Sequence, residues 1–410
     1  MTVTAAQHRD HTDLTEEFAQ ALVAHLNRLR AESHPDDPPV DPANVWGQMQ
    51  HLPPHLELDF WTVEEAGQIV AHARTQLFNS GENQHLAELE LLVAPGARRR
   101  GLGGDLLRLA AQSMQARGRT LLIAQTTDRV PAGEVFARRY GFQPGLSNHV
   151  NRLLLADIPD GLLEAWTTRP DDGYTLEVWA DGVPDADLDA YAQLLNVMNS
   201  APRDGLDVED QRTTPEEVRS MERLARAGGR QTLTAVIRAP DGTLAGLSDL
   251  SWRPAQPGIV AQGNTGVRPE HRGHGLGGWL KAANIREMQR LNPHATEIRT
   301  QNADSNGPML KINAALGFRP FLASTVWQGN VNAVLDSLGG RSLRLCGAGL
   351  PAVPGVHGLA GERERCAGQP WWAQSPAVTV APARWGRGAG RSRLSDWSRT
   401  PIVDRTGPLV

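Results

Sequence analysis

Residues 98–106 read Arg98-Arg99-Arg100-Gly101-Leu102-Gly103-Gly104-Asp105-Leu106, and residues 272–280 read Arg272-Gly273-His274-Gly275-Leu276-Gly277-Gly278-Trp279-Leu280. Each turn follows a valine that stands two residues before a proline, Val93 with Pro95 and Val267 with Pro269, and each opens a run with helical spacing. A second pair of marks keeps nearly the same offset: Tyr140-Gly141-Phe142-Gln143-Pro144 and Leu316-Gly317-Phe318-Arg319-Pro320. Two marks repeating in register over a domain-sized distance indicate a tandem duplication.

The turns indicate what each copy holds. A strand, an Arg-x-x-Gly-x-Gly turn and a helix leave several backbone N–H groups free at a positive helix terminus, and glycines let a diphosphate approach the backbone. Gly-Lys-Ser/Thr is absent, which excludes a nucleotide P-loop. Leu106 and Leu280 stand where a dinucleotide fingerprint places its third glycine.

What remains resembles the pyrophosphate loop of the GNAT superfamily of acyl-CoA N-acyltransferases. Asn306-x-x-Met309-x-x-x-Asn313-x-x-Leu316-Gly317-Phe318 resembles the downstream half of that family's pattern. The resemblance spans most of residues 13–330, and the tandem layout is similar to that of mycothiol synthases. It implies an α+β fold of two GNAT-like domains, each a mixed, mostly antiparallel sheet flanked by helices. It also implies acetyl-CoA as acyl donor, no metal, and transfer to a primary amine of a small molecule or peptide. Cofactor contacts would come from Val267, Arg272, Gly273, His274, Gly275, Leu276, Gly277 and Gly278, with Asn302 and Asn306 facing the pantetheine arm. In the first copy the matching set is Val93, Arg98, Arg99, Arg100, Gly101, Leu102, Gly103 and Gly104.

Hydrophobic periodicity orders the elements. Residues 13–31 read as an amphipathic helix through Leu14, Phe18, Leu22, His25 and Leu29. Strands at 55–62, 68–77 and 86–94 lead to the first turn, and a strand at 120–126, a helix at 132–139 and a final strand pair through 150–155 follow it. The second copy runs through helices at about 186–198 and 214–227, strands at 231–238 and 244–252, a strand ending at Val267, and a strand at 296–301. The expected domains are therefore 1–156, degenerate; 157–173, a connector; 174–330, catalytic; and 331–410, an Arg/Gly/Pro-rich disordered tail.

Chemistry separates the copies. Acyl transfer to an amine needs a held donor, an oxyanion donor such as a backbone N–H near Val267, and a base for an ammonium whose pKa is about 10.4. The tyrosine that reprotonates the thiolate in the family is replaced by Asn313 in the second copy and Phe136 in the first. Asp249 and Glu297 are the candidate bases, and Asn313 completes the catalytic candidates. The first copy carries Arg129 in place of the later asparagine, so the second copy is read as the working one.

The net charge of −5 hides a split. Residues 341–410 hold ten arginines against four carboxylates, a balance of +6, so the remainder carries −11. An acidic body argues against nucleic acid as the main partner. Asp185, Asp187, Asp189, Asp204, Asp207, Glu209, Asp210 and Glu216 form an acidic stretch between Asp181 and Glu217, which suggests a cationic acceptor. No run of about 20 apolar residues suggests a membrane span, and a cytoplasmic location is expected. Cys346 and Cys366 both lie in the tail, so neither copy has a disulfide framework or a metal-type spacing. The rival reading is a non-catalytic coenzyme A-binding sensor or assembly protein.

Overall fold

The computed structural model describes residues 6–79, 81–180 and 182–339. The first half runs β1 (Gln7–Asp10), α1 (Glu16–Ser33), α2 (Pro42–Gln50), β2 (Leu56–Glu65), β3 (Gln68–Phe78), β4 (Leu86–Val93), α3 (Leu102–Ala116), β5 (Leu121–Thr127), α4 (Ala132–Arg139), β6 (Gln143–Leu154) and α5 (Leu162–Thr167). The second half runs β7 (Thr175–Ala180), α6 (Leu188–Leu195), α7 (Pro215–Ala227), β8 (Gln231–Arg238), β9 (Leu244–Arg253), β10 (Gln256–Val267), α8 (Leu276–Leu291), β11 (Glu297–Ala303), α9 (Gly307–Leu316), β12 (Arg319–Asn330) and α10 (Val331–Leu338).

Local chemistry sets the element ends. Thr15 accepts from the Phe18 N–H at the start of α1, behind Glu16 and Glu17 in its positive first turn. Thr214 and Glu217 form a reciprocal capping box on α7, with Pro215 at its first position.

All twelve strands join one sheet, in the order β1-β2-β3-β4-β5-β12-β6-β11-β10-β9-β8-β7. The centre of that order is an exchange. The last strand of each half pairs into the other half: β12 lies antiparallel to β5, β6 lies antiparallel to β11, and the two exchanged strands pair with each other. The helix after each exchanged strand follows it across. Trp327, Val331, Val334 and Leu338 are buried in one cluster with Leu106, Leu107, Ala110 and Met114 of α3. Leu162, Leu163 and Trp166 pack on the cluster that holds Ile285 and Met288 of α8. Arg108 caps the end of α10 by donating to the carbonyls of Leu338 and Gly339.

This topology corrects three expectations. Residues 157–173 are not a bare connector, because they contain α5 and its core contacts. The ordered chain does not stop at 330, because α10 completes the first half's core. The expected strand pair near 150–155 is one twelve-residue strand, β6. Residues 340–410, with Cys346 and Cys366, lie outside the described residues.

Candidate active site

Each turn carries left-handed backbone at two positions, one of them an arginine in the first turn. Gly273 and Gly275 have φ of +87° and +70°; the matching positions of the first turn are Arg99 at +69° and Gly101 at +92°. No side chain caps the first turn of α3 or α8, so both helix N-termini present backbone N–H groups. Arg98 and Arg272 brace their turns identically, each donating from Nε to the carbonyl of the preceding valine, Val93 or Val267, at 3.0 Å.

The surroundings of the turns differ. In the first, Arg98 is ion-paired to Glu32 and Arg100 to Glu65, so two of its three cations are neutralised within the chain. In the second, Arg272 donates to the Ser200 hydroxyl at 2.9 Å, and Arg169 donates to the His274 carbonyl at 2.8 Å. Gly277 and Gly278 sit against Ile312 and Trp166, much as Gly103 and Gly104 sit against Phe136 and Tyr140.

Beyond each turn two parallel strands part. The β4–β5 ladder ends at the Glu88–Ile123 pair and the β10–β11 ladder at Gln262–Thr300, although all four strands run on. Only the second opening is bulged. The β9–β10 register shifts between Gln262 and Thr265, whereas β3–β4 pairs without interruption from Ala71–Val93 to Leu77–Ala87. Val267 itself is paired with Gly246, so the irregular backbone lies at Gly263–Asn264, earlier than the expected position.

Asp249 stands at that bulge. Its Oδ1 accepts the Asn264 backbone N–H at 3.0 Å. Burial pushes its carboxyl pKa up to about 7, against the bonds from Asn264 and the charge of Lys281. Lys281, 1 % exposed on α8, donates to Gln262 Oε1 at 3.2 Å, and Gln262 Nε2 in turn donates to the Asp249 carbonyl at 2.7 Å. Burial pushes the Lys281 ammonium pKa down. Counting three residues along the strand from the partner of each loop valine gives Asp249 from Gly246 and Arg74 from Ala71. The first half thus holds a guanidinium, ion-paired to Glu90, where the second holds a carboxylate.

Two cavities meet at the bulge. One, of about 290 Å³, lies under α6 and α7 and is lined by Tyr191, Thr232, Thr234, Asp249 and Ser251. The other, of about 200 Å³, lies in the strand opening and is lined by Thr265, Lys281, Asn302, Asn306 and Met309. Gln262, Gly263, Asn264, Thr300 and Gln301 border both.

The remaining candidates are spread more widely. Asn302 faces the strand opening and accepts from Asn313 Nδ2 at 2.8 Å and, across the halves, from Asn151 at 3.3 Å. Asn313 is buried behind Asn302 and lines neither cavity. Asn306 also caps α9, accepting from the Met309 N–H at 3.4 Å. Glu297 is paired with Arg299 and Arg152 at an outer opening and lines neither cavity. The sequence reading missed Lys281 and Gln262. Its one available signal was that Lys281 is one of two lysines in the chain, the other being Lys311.

Residues 20–142 match the sequence profile of the acetyltransferase (GNAT) family. Over 80% of its length the chain superposes on 98% of a tandem GNAT protein from the clavulanic acid biosynthesis pathway, with a TM-score of 0.65 and 26% identity. This chain has the tandem GNAT fold. It is 28% identical over 280 residues to the mycothiol acetyltransferase of Kineococcus radiotolerans, a match covering 66% of this chain and 78% of that one. A GCN5-related N-acetyltransferase from Sphaerobacter thermophilus shares the fold at a TM-score of 0.57 and 15% identity. The chain is therefore an acyltransferase of the GNAT type, a family that generally uses acetyl-CoA and amine acceptors. Among the described residues no group of three or more His, Cys, Asp or Glu is placed to hold a metal ion, and no helix is long and apolar enough to cross a membrane.

Proposed function

We propose that this tandem GNAT protein moves an acetyl group from acetyl-CoA to a primary amine, and that the second half, residues 174–318 with the exchanged β6 and α5, performs the transfer. The observation that carries this reading is the coincidence, at one point, of the strand bulge, the Asp249 carboxylate and the meeting of two cavities. The family profile matches the first half, yet that half lacks the bulge and has Arg74 at the base position.

The residues present suit the donor. The glycine turn with its uncapped helix offers backbone N–H groups to a diphosphate. The opening between β10 and β11 offers Asn302 and Asn306 to an amide-bearing arm. Bound there, the donor supplies an acetyl thioester. Asp249, bordering the other cavity, takes the proton from an incoming ammonium. The amine nitrogen then bonds to the acetyl carbon as the carbon–sulfur bond breaks, and the coenzyme leaves as a thiolate that takes up the surplus proton of the new amide nitrogen. A thiol with a pKa of about 8.5 leaves without an obligatory acid, which removes the need for the missing tyrosine.

The test is thiol release from acetyl-CoA in the presence and absence of an amine panel. Amine-dependent release that is lost in Asp249→Asn and kept in Arg74→Ala supports the assignment. Release that follows Arg74 instead places the chemistry in the first half.

A further inference from the structure

The acceptor-side cavity is polar in an ordered way. Antiparallel register puts Thr234 opposite Asp249 and Thr232 opposite Ser251. The two-residue alternation of a strand then brings Arg230 and Arg253 next in the same row, while Leu233 and Leu250 turn to the core under α8. All of the polar members of this row line the cavity. One end therefore carries a carboxylate and the other carries guanidinium groups. Four residues of strand separate Asp249 from Arg253, about 13 Å at roughly 3.3 Å per residue.

The guanidinium end is short of counter-charge. Arg230 Nε is buried with no hydrogen-bond partner, and its Nη1 donates over a long 3.5 Å to the Ser251 hydroxyl. Arg253 donates from Nε to the Gly228 carbonyl at 3.1 Å, and Asp41 favours its charge only from beyond ion-pair distance. Burial and Arg253 push the Arg230 pKa down to about 10. Two more arginines, Arg30 and Arg299, line the same cavity, and they share Asp37, with Glu297 also on Arg299. Glu222 also lines it but is engaged by Arg219, Arg226 and the Val183 N–H. His34 is held neutral by burial, its pKa near 4. Four guanidinium groups are thus offset by two carboxylates, Asp37 in the cavity wall and Glu297 outside it, and a buried cation without a partner is costly.

The acidic stretch read from the sequence does not alter this balance. Asp185, Asp187 and Asp210 are paired with Arg219, Arg238 and Arg203, and none of the three lines the cavity.

We propose that the acceptor is an elongated primary amine whose far end carries a carboxylate or a phosphate, held by Arg230 and Arg253 while the amine lies at Asp249. This replaces the cationic acceptor expected from the acidic stretch, and it rests on the second half's being the transferring site. A third cavity, of about 230 Å³, is also lined by Arg30, Arg230 and Arg253 and gives a longer anionic end room to continue.

The test uses the full chain and acetyl-CoA. Thiol release is measured with ω-aminocarboxylates of increasing length, the matching aminoalkyl phosphates, plain alkylamines and diamines. The expected result is a kcat/KM for one anionic series at least about tenfold above its alkylamine, with an optimum at one chain length. The better of the two series names the anion. Arg230→Met and Arg253→Gln should collapse that ratio, and Arg230→Met should not lower the melting temperature, because it removes an uncompensated cation. Equal or better turnover of alkylamines or diamines overturns the proposal, as does a ratio that survives both substitutions. If no amine is turned over, the transfer reading fails separately. Calorimetry with the same aminocarboxylates and phosphates then decides the anion pocket, by binding that Arg230→Met abolishes or by no binding at all.

Discussion

The Asn264 backbone N–H donates to Asp249 Oδ1 at 3.0 Å, so the strand bulge and the carboxylate are one unit. Asp249 lines the acceptor-side cavity, where its carboxylate can act as a proton acceptor. With a pKa of about 7, the carboxylate is protonated on the acid side, and kcat/KM should fall about tenfold per pH unit below 7. Asp249→Asn should cost about 10²–10⁴ in rate and erase that limb. Stability moves the other way. The folded pKa lies above the unfolded value of about 3.9, so the folded state binds the extra proton. The contribution of Asp249 is complete below that value and lost as pH rises to about 7. The melting temperature of Asp249→Asn should therefore gain on the wild type across that interval, and a constant difference would show that Asp249 titrates normally.

Lys281 acts on the same limb through charge. Its ammonium favours ionised Asp249, from a position buried against Gln262. Lys281→Met should move the midpoint of the pH–rate profile upward, whereas a purely structural lysine would lower stability and leave the midpoint in place. The profile at fixed saturating donor distinguishes the two.

Gly263 tests the bulge sterically. A Cβ at this position would overlap Asp249 Oδ1. Gly263→Ala should depress kcat with little change in the KM for acetyl-CoA, because the overlap is with Asp249 and the donor turn begins beyond the C-terminal end of β10. An unaffected kcat would mean that the carboxylate is free to move and that its placement is not needed.

The working turn can be assigned by strain alone. Gly275 has φ +70° and its nearest outside atom is Arg169 Nη1 at 3.8 Å, so valine there meets backbone strain more than crowding. At about 1–2 kcal/mol, Gly275→Val should raise the KM for acetyl-CoA roughly tenfold. Gly101→Val, at φ +92° in the first turn, should leave it unchanged. The reverse pattern would move donor binding to the first half.

Local features were legible in the sequence because their causes are local. The two glycine turns and the amphipathic first helix fall where turn chemistry and period place them. Strand pairing is not local. β6 and β12 follow the same Gly-Phe mark with similar length, and nothing in either strand says which half it will join. The same holds for the site. Asp249 and Glu297 both read as strand carboxylates, but only the three-dimensional register separates the one at the bulge from the one paired with arginines at the outer opening. The cluster of Arg230 and Arg253 arises from two strands meeting, and the neutralisation of Asp185 and Asp187 depends on arginines elsewhere in the chain.

The strand exchange makes the halves dependent on each other. Trp327, 1 % exposed, belongs by sequence to the second copy, yet it donates to Thr126 Oγ1 at 2.8 Å inside the first and packs with Phe142 and Ala124. Leu153, fully buried, does the converse in the core of α8. Trp327→Ala should cost about 3–5 kcal/mol. A fragment of residues 1–168 lacks β12 and α10 and leaves β5 as a bare edge beside an open core, a template for aggregation. It should show no cooperative thermal transition, and neither should residues 169–339. Co-expressed, the two should pair through β6 and β12 and regain one transition together with thiol release. A 1–168 fragment that melts cooperatively alone would show that the first copy can reclaim its own β6, making the exchange one of two accessible pairings.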